Sequence, residues 1–128
     1  KNVINDEIYI HDSIFEGFSY KEEEKKLVIE LENYCLRKSF KLQFCNALIF
    51  NCEMCEFWGK SPNILDWEVS KDEPLIQKMK KKQKDNNELY WTSLVDLEKS
   101  YVESRITLTS GDTIEIVCEY IEFEGKNL

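Results

Sequence analysis

The stretch from Arg105 to Phe123, RITLTSGDTIEIVCEYIEF, restricts the fold of this chain more than any other. Two runs of alternating apolar and polar residues, both rich in β-branched side chains, meet at the dipeptide Gly111-Asp112. Alternation with a period of two is typical of a half-buried strand, and a Gly-Asp pair between two such runs is a turn signal. The pattern therefore predicts an antiparallel hairpin, with strands at about residues 101–110 and 112–124.

Strand patterns also fill the first half of the chain. Four segments have recurring apolar residues, namely Ile8, Ile10, Ile14, Phe15, Phe18 and Tyr20 in the first, Leu27, Ile29 and Leu31 in the second, Phe40, Leu42 and Phe44 in the third, and Phe50, Cys52 and Met54 in the fourth. Polar residues occupy most of the positions between them, so we expect one face of this sheet to be solvated. Four strands are thus predicted before any helix.

The segment after Trp58 changes character, because Gly59, Pro62 and Asn63 are loop formers. Pro74 then stands where the first turn of a helix tolerates proline, and a short apolar stripe follows it at Leu75, Ile76 and Met79. We predict a loop up to this point and one helix at about residues 73–84. The segment from Leu89 to Leu97 is ambiguous between a strand and an irregular piece.

These patterns predict one domain over residues 1–128. The fold class is α+β and mostly β: an antiparallel sheet or flattened sandwich of about six to eight strands with the single helix inserted. A chain of 128 residues is long enough to bury a core, and 42% hydrophobic with 33% charged residues is a globular composition.

The net charge of −8 restricts the choice of partners. Nucleic acid and anionic membrane surfaces both bind proteins through cationic side chains, so neither is an expected partner. A basic protein is the partner that an acidic surface would attract. No apolar run reaches the length of a membrane span, and we expect a cytoplasmic protein.

Five cysteines are present, an odd number that does not suit an exported disulfide scaffold. Most of them lie within strand patterns, which favours buried reduced thiols. The spacing of Cys52 and Cys55 makes them weak candidates for zinc or redox chemistry, but a continuous strand would point their sulfurs to opposite faces. We therefore predict no metal and no cofactor, and keep a metal-stabilised scaffold as a third alternative.

His11 is the only histidine, so a catalyst built on histidine must use it. It stands next to Asp12 at a break between apolar segments, and the two mark a candidate pocket. The alternative is a turn that Asp12 stabilises through its side chain. Four glutamates of the closing hairpin alternate with apolar residues and predict a solvated sheet face: Glu103, Glu115, Glu119 and Glu122. No complete catalytic set is visible, and we do not predict an enzyme.

The segment from Trp58 to Trp67 is the predicted binding feature, because tryptophan and tyrosine are frequent anchors of protein interfaces. The candidate interface comprises Trp58, Ile64, Trp67, Tyr90 and Trp91. Packing of this segment into the core is the alternative. A second functional hypothesis is a small-ligand site or weak enzyme that uses His11, Asp12 and the same segment.

His11-Asp12, the hairpin from about Ile14 to Leu31 and the acidic, β-rich character resemble a group of small bacterial proteins. Some members of this group are thought to be immunity proteins of polymorphic toxin systems. The resemblance implies a protein that binds and neutralises a partner rather than one that converts a substrate.

Overall fold

The computed structural model of the protein describes residues 10–33, 37–52, 63–71, 74–87, 99–123 and 126–127, and all structural statements concern these residues. Nine strands and one helix occur in this part of the chain. In order they are β1 (Ile14–Lys21), β2 (Lys26–Glu32), β3 (Ser39–Cys45), β4 (Ile49–Cys52), β5 (Ile64–Lys71), α1 (Pro74–Asn87), β6 (Val102–Leu108), β7 (Thr113–Cys118), β8 (Tyr120–Phe123) and β9 (Lys126–Asn127). The mostly β, α+β class is confirmed, with one strand more than the upper number predicted.

The strands form two antiparallel sheets. One has five strands in the order β1-β2-β3-β8-β9, and the other has four in the order β4-β7-β6-β5. Residues from both sheets share a single buried cluster, in which Leu42 and Phe44 of β3 join Ile114 and Ile116 of β7. The architecture is therefore a two-sheet sandwich, the second of the two predicted forms.

The helix covers part of the outer face of the four-stranded sheet. Val117 points away from the central core, since its neighbours Ile116 and Cys118 point into it. Ile76 and Met79 of α1 pack with Val117 and Tyr101 in a second buried cluster. Two residues of the apolar stripe that predicted the helix, Ile76 and Met79, thus attach it to the sheet.

The prediction of a loop up to Pro74 is wrong for residues 64–71, which form β5. Ile64 lies opposite Leu108 and Trp67 opposite Ile106 in the ladder with β6. Burial of these side chains outweighs the loop propensity of Asp66, which stands next to a register shift in the same strand.

The closing hairpin is confirmed, but its second run is divided. Gly111 has a φ of +92° and donates its N–H to the carbonyl of Leu108 at 2.9 Å, so the turn uses the conformational freedom of glycine. Glu119 then separates β7 from β8, which belongs to the other sheet. Continuous alternation in the sequence gives no sign of this change of sheet.

Candidate functional site

The edge strand β1 contains one extra residue. Phe15 is opposite Leu31 but Gly17 is opposite Glu30, so Glu16 forms a bulge. Beyond it Phe18 faces Ile29 and Tyr20 faces Leu27. Directly opposed residues in an antiparallel ladder share a face of the sheet. The bulge therefore places Phe15, Phe18 and Tyr20 on the core side of the five-stranded sheet.

Phe18 and Tyr20 are nevertheless open to solvent. Each is 52% exposed, whereas their cross-strand neighbours Ile29 and Leu27 are 0% and 2% exposed. The ring of Phe18 meets that of Phe50 in β4 at a centroid distance of 4.8 Å and an interplanar angle of 44°. Phe50 belongs to the other sheet, so the sandwich is open where the edges of the two sheets approach each other.

This opening is an apolar groove of about 280 Å³, which we call the aromatic groove. It is lined by Phe18, Tyr20, Leu27, Ala47, Leu48, Ile49 and Phe50. Its walls are held by backbone hydrogen bonds: the N–H of Ala47 donates to the carbonyl of Lys25 at 3.0 Å, and that of Leu48 donates to the carbonyl of Val117 at 2.8 Å. The groove is accordingly preformed in the fold.

Carboxylates outnumber lysines along β1 and the turn after it. In residues 14–25 the exposed charged side chains are Glu16, Lys21, Glu22, Glu23, Glu24 and Lys25. Glu24 lies 3.7 Å from Lys26 and is neutralised in part, while Glu16 accepts a hydrogen bond from the hydroxyl of Ser39 at 3.2 Å. The turn of residues 22–25, at one border of the aromatic groove, is therefore mildly acidic, whereas Glu16 is turned to the outer face of the sheet.

Two of the predicted interface residues lie in the core. Ile64 and Trp67 are both 0% exposed, and Trp67 Nε1 donates to the hydroxyl of Ser104, also buried, at 2.7 Å. The interface prediction is wrong for these two residues, and packing in the core is the alternative that the structure shows. The other three predicted residues, Trp58, Tyr90 and Trp91, lie outside the described residues.

His11 and Asp12 form a turn that is hydrogen-bonded to β5. Asp12 has a φ of +64°, and its N–H donates to the carbonyl of Ile64 at 2.8 Å. His11 Nδ1 donates to the carbonyl of Leu65 at 2.6 Å, because a carbonyl can only accept. His11 Nε2 lies 3.5 Å from Asp12 Oδ1. The two residues thus form a turn held to β5 by the Asp12 backbone and the His11 ring, and neither side chain lines the aromatic groove.

A smaller cavity of about 120 Å³ lies on the outer face of the four-stranded sheet, lined by Glu68, Ser70, Glu103 and Arg105. The prediction of a solvated glutamate face is wrong for Glu103, which is 4% exposed. Arg105 Nη2 lies 3.8 Å from Glu103 Oε1 and 3.5 Å from Glu115 Oε2. The guanidinium thus compensates carboxylates that the sheet itself brings together.

The thiols of Cys45 and Cys118 are buried and suit structural positions. Burial raises the pKa of Cys118 to about 12 and also raises that of Cys45, so neither forms the reactive thiolate at neutral pH. Cys52 is partly exposed in β4, and Cys55 lies outside the described residues. The described residues contain no cluster of three or more side chains suited to a metal.

Comparisons with protein-family models, curated proteins and solved structures find no match to this chain. Within the part that the structure describes, no helix is long and apolar enough to cross a membrane. The function must therefore be inferred from the residues and geometry of the chain itself. Its main feature, the aromatic groove, was missed by sequence reasoning, although Gly17 inside a strand pattern is a known bulge signal that could have indicated it.

Proposed function

We propose that this protein is a non-enzymatic partner-binding module, and that an apolar part of a basic protein docks in the aromatic groove. The observation that carries the proposal is the half exposure of Phe18 and Tyr20 on the core side of a sheet. Large aromatic side chains next to a preformed apolar groove are a usual form of interface anchor.

The energetics of such a site are sufficient for an interface anchor. Burial of the exposed half of an aromatic side chain contributes on the order of 1 kcal/mol, and Phe18 and Tyr20 would be buried together with Phe50. Because the groove is already formed, little free energy is spent on ordering it. A few such anchors account for most of the affinity in typical interfaces.

Charge supports a basic partner. The net charge of −8 attracts cationic proteins, and the carboxylates of the turn at residues 22–24 act close to the groove. Neutralisation of a basic toxin, which the immunity-protein resemblance implies, is the biological role that we infer. A cytoplasmic location is part of the proposal, and the free thiols Cys45, Cys52 and Cys118 suit a reducing compartment.

The test begins with affinity capture from native lysate to identify a partner, followed by calorimetry with the purified pair. The Phe18→Ser/Tyr20→Ser variant removes both exposed anchors. Leu65→Ser is the matched control, since Leu65 is 49% exposed on β5 and does not line the groove. We expect the Kd to rise about 10- to 100-fold in the double variant, corresponding to about 1.4–2.8 kcal/mol, and to stay unchanged in the control. An unchanged Kd in a folded double variant would refute the proposal.

A further inference from the structure

Within the part of the chain that the structure describes, no strand pairs with the outer edge of β1 after Ile14. β1 is the terminal strand of its sheet, and β2 is its neighbour in the ladder. Its first residue, Ile14, is bridged to Asn63. From Glu16 to Lys21 the residues are exposed, apart from the half-buried Gly17. An open strand edge presents backbone N–H and C=O groups to which another chain can bind.

The open edge and the aromatic groove lie side by side. Phe18 and Tyr20 belong to the strand with the open edge, and they also line the groove. A strand added beside β1 would lie about 4.8 Å away, with alternate side chains on the core side of the sheet. Those side chains would cover the exposed halves of Phe18 and Tyr20. One extended segment can therefore form hydrogen bonds with the backbone groups of the edge and also fill the groove.

We propose that the partner contributes an extended segment that pairs with the edge of β1 as an additional strand. This inference rests on the proposed function and specifies the form that the docking takes. The open stretch of residues 16–21 spans about 20 Å, which corresponds to a segment of about six residues. Its alternate residues are apolar, and main-chain hydrogen bonds supply part of the affinity.

Charge determines which residues suit one end of this segment. Glu22 and Glu23 lie just after the end of the open stretch, whereas the carboxylate of Glu16, at its start, is hydrogen-bonded to Ser39 of β3 and turned away from the edge. Basic residues at the end beside Glu22 and Glu23 would meet these two carboxylates. A second copy of this chain is a poor occupant, because it carries the same net charge of −8 and would bring a second set of exposed glutamates to the same edge. Like charges opposite each other destabilise a strand pair.

The probe is the capped peptide Lys-Arg-Val-Ser-Phe-Thr-Ile-Arg-Lys, added to the full chain. Two further peptides carry N-methyl groups on the odd or on the even residues of the central segment, so that one of them loses the amides that face β1. We expect the parent peptide to slow amide hydrogen exchange in β1 at least about tenfold, and only one methylated peptide to retain binding.

Equal binding of all three peptides would overturn strand addition but leave the groove as the docking site. Failure of the parent peptide to bind at millimolar concentration would also overturn it. The proposed function fails on a different result, namely a Kd for the captured partner that is unchanged in Phe18→Ser/Tyr20→Ser. The two failures are thus distinguishable.

Discussion

At the scale of single residues, Trp67 shows why a side chain suited to interfaces can belong to the core. Its indole and the hydroxyl of Ser104 are both fully buried and joined by a hydrogen bond of 2.7 Å. Trp67→Phe would leave the Ser104 hydroxyl without this donor, and we expect a loss of about 1–3 kcal/mol in the free energy of unfolding. Urea denaturation of both proteins measures this loss in the free energy of unfolding. In a double-mutant cycle with Ser104→Ala the losses should be less than additive, and strict additivity would contradict the coupling.

Ionisation of the buried Cys118 thiol should lower the stability of the protein at alkaline pH. Its pKa is about 12 in the folded chain, above the ordinary value of 9.0, because burial disfavours the thiolate. The stability that the neutral Cys118 thiol contributes is therefore complete below pH 9. It is lost as the pH rises towards 12, since this thiol ionises at lower pH in the unfolded chain than in the folded one. Denaturation curves between pH 8 and 11 should show a decline that is shallower in Cys118→Ala. Equal slopes for the two proteins would contradict this assignment.

At the scale of elements, the bulge in β1 decides which face its aromatic residues occupy. Deletion of Glu16 would remove the bulge and keep Phe18 opposite Ile29, so we expect a folded protein whose stability changes by less than about 1.5 kcal/mol. Deletion of Ser19 is the matched control, because it makes Phe18 and Tyr20 neighbours in sequence and turns one of them to the outer face. Binding to the captured partner should survive the first deletion and weaken about tenfold or more in the second. Binding that is lost on deletion of Glu16 but retained on deletion of Ser19 would refute this account of the register.

The elements that the sequence predicted correctly are those in which local pattern and burial agree. β2 and β3 bury the alternating residues Leu27, Ile29, Leu42 and Phe44, and α1 buries Ile76 of its stripe. β5 was missed because its contacts with β6 are distant in sequence and outweigh local turn propensity. The aromatic groove was missed for a related reason: it exists only where two sheet edges meet.

At the scale of the whole molecule, charge and the aromatic groove should act on different steps of association. The net charge of −8 accelerates encounter with a basic partner, and 0.5 M salt screens this attraction beyond a few ångströms. We expect the association rate constant to fall at least about tenfold between 50 and 500 mM NaCl while the dissociation rate changes little. Phe18→Ser/Tyr20→Ser should do the opposite, raising the dissociation rate with little effect on association. Surface plasmon resonance with the captured partner separates the two rates. An association rate indifferent to salt would exclude electrostatic attraction, and a neutral partner bound through the groove alone would then be the correct description.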